Sequence, residues 1–437
     1  MRERGAASED PGARVALARN VGLVGATALV VVNMVGSSVY TLPASIAKGV
    51  GPLGIVAWVL TALGYLFVAR VYARLGTRFP RTGGPYAYAR AAFGEAAGFA
   101  TVWCYWLSAT LGNAAIVISA VGYVPDLWPE LEGDGLTQFA LASVLLWILC
   151  LVNVLGVRHG VRLQVVILVA GLAPLAVVGV LGLAAFDARN LEPFAPAGWS
   201  ALPAGMALVM WAYSGVESAA VPAEEVQAPE RTISRATYLG YALGTVIYLG
   251  LALGVAGALA NERVAASTRP LALLAQETGG PWLASVLSVT AILACLGTVN
   301  GWILLAGRIP VAAAQDGLFF RSLARIHPRF RTPALGLVVG GVIANVMLVQ
   351  LLAAEFLDVF DFVVRLTLFL TFVPHLFAAA ADWRFAQGPR RLLSALAFLF
   401  VLFTTFALGH EACLLGLAAL ALGAPLFLAL RRRAPPA

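Results

Sequence analysis

Twelve separate stretches of this chain are apolar for about the 20 residues that a helix needs to cross a bilayer. They run over 21–47, 52–75, 94–124, 136–157, 161–185, 200–222, 235–260, 281–306, 333–354, 359–381, 391–409 and 412–430. In hydrocarbon, backbone polar groups must be satisfied inside the protein, which leaves helices for segments of this kind. The chain therefore reads as an all-α membrane protein with twelve transmembrane helices. With 60% hydrophobic residues, 12% charged ones and a mean hydropathy of +0.87, it lacks the polar surface of a soluble domain.

The cations set the expected orientation. Of 28 Arg and one Lys, 24 fall in cytoplasmic segments if the N-terminus is inside. Only Lys48, Arg189, Arg263 and Arg269 fall in outer loops, and Arg365 lies within a span. Every loop then obeys the positive-inside rule, with both termini cytoplasmic. The net charge of +7 follows from this asymmetry and needs no nucleic-acid partner. Residues 1–19 and 431–437 read as cytoplasmic tails, the first disordered and without a signal peptide's apolar core. Cys104, Cys150, Cys295 and Cys413 all lie in apolar segments, with neither metal-ligand spacing nor a disulfide framework.

Two spans carry residues at mid-depth that are poorly suited to a straight helix. The first holds Asn33-Met34-Val35-Gly36-Ser37-Ser38-Val39-Tyr40, and the sixth holds Trp211-Ala212-Tyr213-Ser214-Gly215-Val216-Glu217. Small residues there can be simple packing notches. Two breaks at corresponding positions instead point to an inverted repeat with a binding site at its centre. The repeats would be 20–185 (spans one to five) and 200–381 (spans six to ten), with 391–430 (spans eleven and twelve) peripheral. A second half-helix starting near Ser38 would present free N–H groups and the positive end of its dipole to a carboxylate. Carbonyls around Met34, Trp211 and Ser214 would accept an ammonium.

Other polar residues at depth add to the candidate site. Tyr105, Ala109 and Asn113 are four apart and share a helical stripe in span three. Asn113 needs a partner, either a neighbouring helix or a ligand. Glu217 is the one carboxylate near the centre of a span, a costly placement that usually marks function, here as a proton carrier, the alternative being a neutral, hydrogen-bonded structural Glu. Trp302 in span eight can lay its ring over a cation. Span ten contains Arg365, Thr367, Thr371, Pro374 and His375; Arg365 either pairs with Asp358 or Asp361 or faces the site and repels a cation. The acidic loop Asp126, Glu130, Glu132 and Asp134 reads as simply solvated, the alternative being that it enriches cations near the mouth.

These stretches, together with Pro80 to Tyr88, Glu225 to Ala236, Cys295 to Trp302, Asp316 to Phe319 and Phe372 to Pro374, resemble the amino acid–polyamine–organocation transporters. Within them the sequence is most similar to the arginine/agmatine antiporter group, in the same order over nearly the whole chain. The resemblance implies the LeuT-like 5+5 fold, an inner-membrane location in a bacterium, a homodimer and no cofactor. It implies a substrate site of Asn33, Met34, Gly36, Ser37, Ser38, Tyr105, Ser108, Ala109, Asn113, Ile116, Trp211, Ser214, Trp302 and Thr367. Glu217 and Tyr105 match residues linked to gating and pH response. Ser108, Ala109 and Ile116 depart from the family's usual residues, as do Ala228, Ser234 and His375.

The expected function is secondary transport of amino acids by alternating access, as an exchanger of a basic amino acid for its amine. Gly36, Ser37 and Ser38 would hold the carboxylate, Trp302 and Trp211 would cover the side chain, and Asn113 and Thr367 would read its distal end. The alternative is a proton-coupled uptake permease for neutral amino acids. Four scattered His without an Asp partner argue against a membrane enzyme. A single chain with internal repeats is unlike a channel built from a symmetric assembly. No phosphate-binding Gly-x-x-x-x-Gly-Lys sequence is present, so ATP is not the energy source.

Overall fold

A computed structural model describes residues 21–81, 83–131, 135–156, 160–353 and 355–433. The tail 1–19, the loop residues Glu132 and Asp134, the loop pair Arg158 and His159, and the last four residues lie outside the described residues. Fourteen α-helices occur among the described residues. In chain order these are α1 (Leu23–Gly49), α2 (Gly54–Arg78), α3 (Pro85–Phe93), α4 (Glu95–Gly122), α5 (Gly135–Leu155), α6 (Gly160–Ala184) and α7 (Leu202–Tyr213). Then come α8 (Pro229–Ala258), α9 (Asn261–Ala265), α10 (Pro270–Gln315), α11 (Ala334–Leu348), α12 (Phe356–Phe385), α13 (Arg390–Ala407) and α14 (His410–Arg433).

Each of the twelve apolar segments coincides with one of these helices, the sixth only in its first half. Nine helical segments among the described residues are long and apolar enough to cross a membrane. α12 carries Asp358, Asp361, Arg365, Asp382 and Arg384, and α7 is only 12 residues long. The long α10 is two helices in effect: Gly280, at φ +82°, turns the chain just before Pro281, where the eighth apolar segment begins.

Burial separates the centre from the rim. In α4, 89% of the most apolar window is buried, against 11% in α14 and 22% in α5. α4 packs on α10 and α12, while α1 packs on α8, α10 and α7. The outer helices turn Trp147, Ile148, Leu151, Leu414 and Leu422 outward. Exposed apolar residues in such numbers form a surface suited to lipid rather than water.

The first expected break is corrected. α1 stays α-helical through Asn33–Tyr40. Ser38 is satisfied without leaving the helix, its Oγ donating to the Met34 carbonyl at 2.9 Å. Gly36 lies flush against α10, where a Cβ would stand 1.5 Å from Thr298 Oγ1. The small residues here serve close helix packing, the alternative use of such a stretch.

The second expected break is present. α7 stops at Tyr213; Ser214 is extended (ψ 130°) and Gly215 has φ +111°, a conformation open to Gly and hostile to other residues. The chain continues to Pro222 as successive turns closed by Ser218 N–H to Gly215 O (2.9 Å) and Ala220 N–H to Glu217 O (2.8 Å).

Candidate functional site

Where α1 meets the end of α7, a cavity opens between five helices. α1 supplies Asn33, Met34 and Ser37; α4 supplies Ser108, Ala109, Gly112 and Ile116; α7 and the turn after it supply Trp211 and Ser214; α10 supplies Trp302 and α12 Thr371. The α4 residues 108, 112 and 116 recur every four positions, so one helical stripe faces the cavity. The space open to the centre of a water molecule is about 20 Å³. That holds about one water and is far too small for an amino acid. The site is closed in this conformation.

Charge is absent from its lining. Hydroxyls, two indole rings, one amide and apolar side chains make the wall. Trp302 Nε1 donates to the Asn33 carbonyl at 3.3 Å, which fixes the indole against α1. Trp211 lies against Gly112, whose missing Cβ would stand 3.0 Å from the ring. The Asn33 amide donates to Ser218 Oγ at 2.8 Å, and its Oδ1 has no partner. The last carbonyls of α7 sit at the negative end of its dipole, which favours a cation.

Sequence reasoning missed Gly112 and gave Thr371 no role. Both had a signal: Gly112 falls midway on the Ser108–Ile116 stripe, and Thr371 lies one turn beyond Thr367.

Other expected residues lie behind the lining. Gly36 packs on Thr298, and its carbonyl accepts from Cys295 Sγ at 3.6 Å. Ser38 Oγ contacts Tyr248 Oη at 3.1 Å, on the side of α8. Asn113 Nδ2 donates to the Ala109 carbonyl at 3.0 Å, leaving Oδ1 unpaired. Thr367 Oγ1 donates to the Val363 carbonyl at 2.8 Å. None of these four lines the closed cavity.

Glu217 is wholly buried beside the α7 break. Tyr105 Oη donates to its Oε1 at 3.1 Å, and the Gly215 N–H donates to Oε2 at 3.2 Å. The carboxyl thus replaces the helical acceptor that Gly215 lost at the break, and joins α7 to α4. Nearby, His375 bridges α2 and α12: Tyr65 Oη lies 2.8 Å from Nε2 and Tyr72 Oη 2.9 Å from Nδ1.

Two charge expectations are corrected. Arg365 makes no direct ion pair with Asp358 or Asp361, although its charge acts on Asp361. Asp358 is taken by Lys48 at 2.8 Å, and Arg365 Nη1 donates to the Leu408 carbonyl at 3.3 Å, at the end of α13 and away from the cavity. Asp126 is not simply solvated, because Arg269 pairs with it at 3.1 Å and Ser288 Oγ donates to it at 2.5 Å.

A second cavity of about 40 Å³ lies between α1, α2 and α8, lined by residues such as Pro43, Ile46, Trp58 and Val255. It gathers none of the expected site residues.

The model of the family "Amino acid permease" matches residues 21–425. The chain belongs to that family. This permease is 32% identical over 381 residues to a cadaverine/lysine antiporter of Escherichia coli K12, covering 84% of each chain. It is 29% identical to a putative arginine/ornithine antiporter of Bacillus subtilis, over 81% of each chain. It is 27% identical to a putrescine transporter of E. coli K12, over 92% of the permease and 94% of that relative. The permease is a multi-pass membrane protein of the amino acid–polyamine–organocation superfamily, whose similar members are transporters rather than enzymes.

Proposed function

We propose that the permease is a secondary exchanger that trades a cationic amino acid for its decarboxylated amine across a bacterial inner membrane. Arginine with agmatine and lysine with cadaverine are the pairs to test first. The observation that carries this reading is the closed, charge-free cavity between α1, α4, α7, α10 and α12, with indole walls and the carbonyl end of α7 beside it. A cation is held there by ring faces and carbonyls, and Arg365 is too far turned away to repel it. The names of three similar proteins, which concern lysine, cadaverine, arginine, ornithine and putrescine, support the same substrate class.

The twelve segments divide as a 5+5 inverted repeat plus two peripheral helices, with both termini cytoplasmic. The cavity draws on both halves, α1 and α4 from the first and α7, α10 and α12 from the second. Opening it to one side and then the other is alternating access. Asn33, Met34, Ser37, Ser108, Ala109, Ile116, Trp211, Ser214 and Trp302 form the substrate shell of the closed state. Gly36, Ser38, Tyr105, Asn113 and Thr367 stand behind it.

A second reading, proton-coupled uptake of neutral amino acids, rests on Glu217. This buried carboxyl has hydrogen-bond donors but no cation beside it, as a proton carrier would.

The experiment is efflux from proteoliposomes preloaded with labelled arginine or lysine. Efflux that requires outside amino acid or amine is the expected result, and Trp302→Ala should lower it at least about ten-fold through loss of a desolvated cation–ring contact and its packing. Efflux without an outside partner, responding to a proton gradient, would replace exchange by the uptake reading. Near-normal flux in the Trp302 variant would remove that ring from the site.

A further inference from the structure

At the α4–α12 end of the cavity, the direction of a hydrogen-bond chain follows from counting protons. Thr371 Oγ1 donates to the Thr367 carbonyl at 2.9 Å, one turn earlier on α12. A threonine hydroxyl has one proton and two lone pairs. With the Thr371 proton placed on that carbonyl, the bond between Thr371 and Ser108 of α4, which either hydroxyl could donate, is one that Ser108 donates. With both protons committed, Ser108 Oγ and Thr371 Oγ1 face the cavity as acceptors only. Also in the lining, the Ser37 hydroxyl forms no hydrogen bond among the described residues and can turn as donor or acceptor. The two differ in kind: one adapts, the other is fixed.

We propose that Thr371 is a positioning residue that locks Ser108 as an acceptor, so that this end selects substrates whose distal group donates hydrogen bonds. An ammonium or guanidinium meets two oxygens with free lone pairs. A methyl leaves those oxygens unpaired. A carboxylate meets acceptors with no donor, in a site without a cation to offset it. The inference rests on the exchanger reading for the cavity being the substrate site, and it adds the group that discriminates there.

The test is calorimetric binding of lysine, norleucine and 2-aminoadipate to the purified full-length protein. The three differ in a distal ammonium, methyl or carboxylate. Wild type should favour lysine over norleucine by about ten- to a hundred-fold, the range for a hydrogen bond to a charged group, and should bind 2-aminoadipate weakest. Thr371→Val keeps the volume but releases the Ser108 proton to the cavity. It should improve 2-aminoadipate relative to lysine by about ten-fold, while Thr371→Ser restores the wild-type order. Ser108→Ala should lose the lysine preference without gaining 2-aminoadipate. If the Val variant binds lysine but keeps the wild-type ratios within about two-fold, the lock is wrong and the exchanger reading stands. If folded, monodisperse wild type binds none of the three and no arginine either, the substrate-site reading fails and takes the lock with it. Should the Val variant not fold, the Ser108→Ala ratios decide alone: an unchanged lysine preference overturns the proposal.

Discussion

α1 and the sixth apolar segment place Gly and Ser at mid-span in nearly the same way, yet α1 remains a helix while α7 ends just before its Ser and Gly. In α1 the carbonyls receive donors from α10: Thr298 Oγ1 to Val32 O (3.0 Å), Trp302 Nε1 to Asn33 O (3.3 Å) and Cys295 Sγ to Gly36 O. These bonds add to an intact ladder. In α7 the ladder stops because Gly215 takes φ +111° and its N–H finds the Glu217 carboxyl. Small polar residues therefore permit a break in a membrane helix without causing it. The break forms where a glycine can turn and a buried acceptor takes the freed N–H.

The largest effect should come from adding one methyl to each helix. Gly215→Ala puts a Cβ at positive φ, about 1–3 kcal/mol of strain, and within 2.9–3.0 Å of the Asn33 backbone. Gly36→Ala meets a side chain instead, with Thr298 Oγ1 at 1.5 Å and its Cβ at 2.6 Å. Both variants should lose thermal stability in detergent. Only the second should recover when its neighbour is trimmed, by Thr298→Gly. Recovery of Gly215→Ala by trimming Asn33 to Gly would mean that the backbone turn is not what requires glycine.

A smaller effect is expected from Glu217→Gln. The carboxyl accepts from two donors, Tyr105 Oη and Gly215 N–H, and a Gln oxygen can serve only one without rearrangement. Leaving the other unpaired costs about 1–3 kcal/mol, read as a lower melting temperature. If Glu217 also carries the transported or sensed proton, the pH profile of flux flattens in the same variant. Lower stability with an unchanged profile would confine Glu217 to holding the α7 end; no change in either would take it out of the break.

Much of this contrast was legible in the sequence, and the part that was not has a physical reason. Segment positions follow from hydropathy, which is local, so α8 and α12 fall within a few residues of the expected spans. The α7 break is legible because Gly215 and Glu217 are two apart and the partner is on the same strand of chain. The integrity of α1 was not legible, since the residues that brace it, Thr298 and Trp302, are more than 260 positions away. The same holds for Arg365, whose acceptor at Leu408 is a backbone carbonyl and carries no side-chain signature. On α4, period-four spacing picked out Tyr105, Ala109 and Asn113, and the resemblance added Ser108 and Ile116; neither reached Gly112, because its role is to leave room for Trp211.

The smallest effect separates two neighbouring serines of α1. Ser37 lines the cavity and its hydroxyl has no partner among the described residues, whereas Ser38 contacts Tyr248 of α8 and its proton is committed to the Met34 carbonyl. A helix that unwound at this point would present both to a substrate carboxylate. An intact helix presents only one, because adjacent residues are about 100° apart around the axis. Ser37→Ala should weaken substrate binding by roughly five- to ten-fold, the loss of one hydrogen bond. Ser38→Ala should stay within about two-fold of wild type, since Tyr248 keeps its own bond to the Ala212 carbonyl at 2.6 Å and Ala suits a helix interior. Equal losses from both substitutions would mean that α1 opens when substrate binds, and that the unbroken helix belongs to the contracted cavity alone.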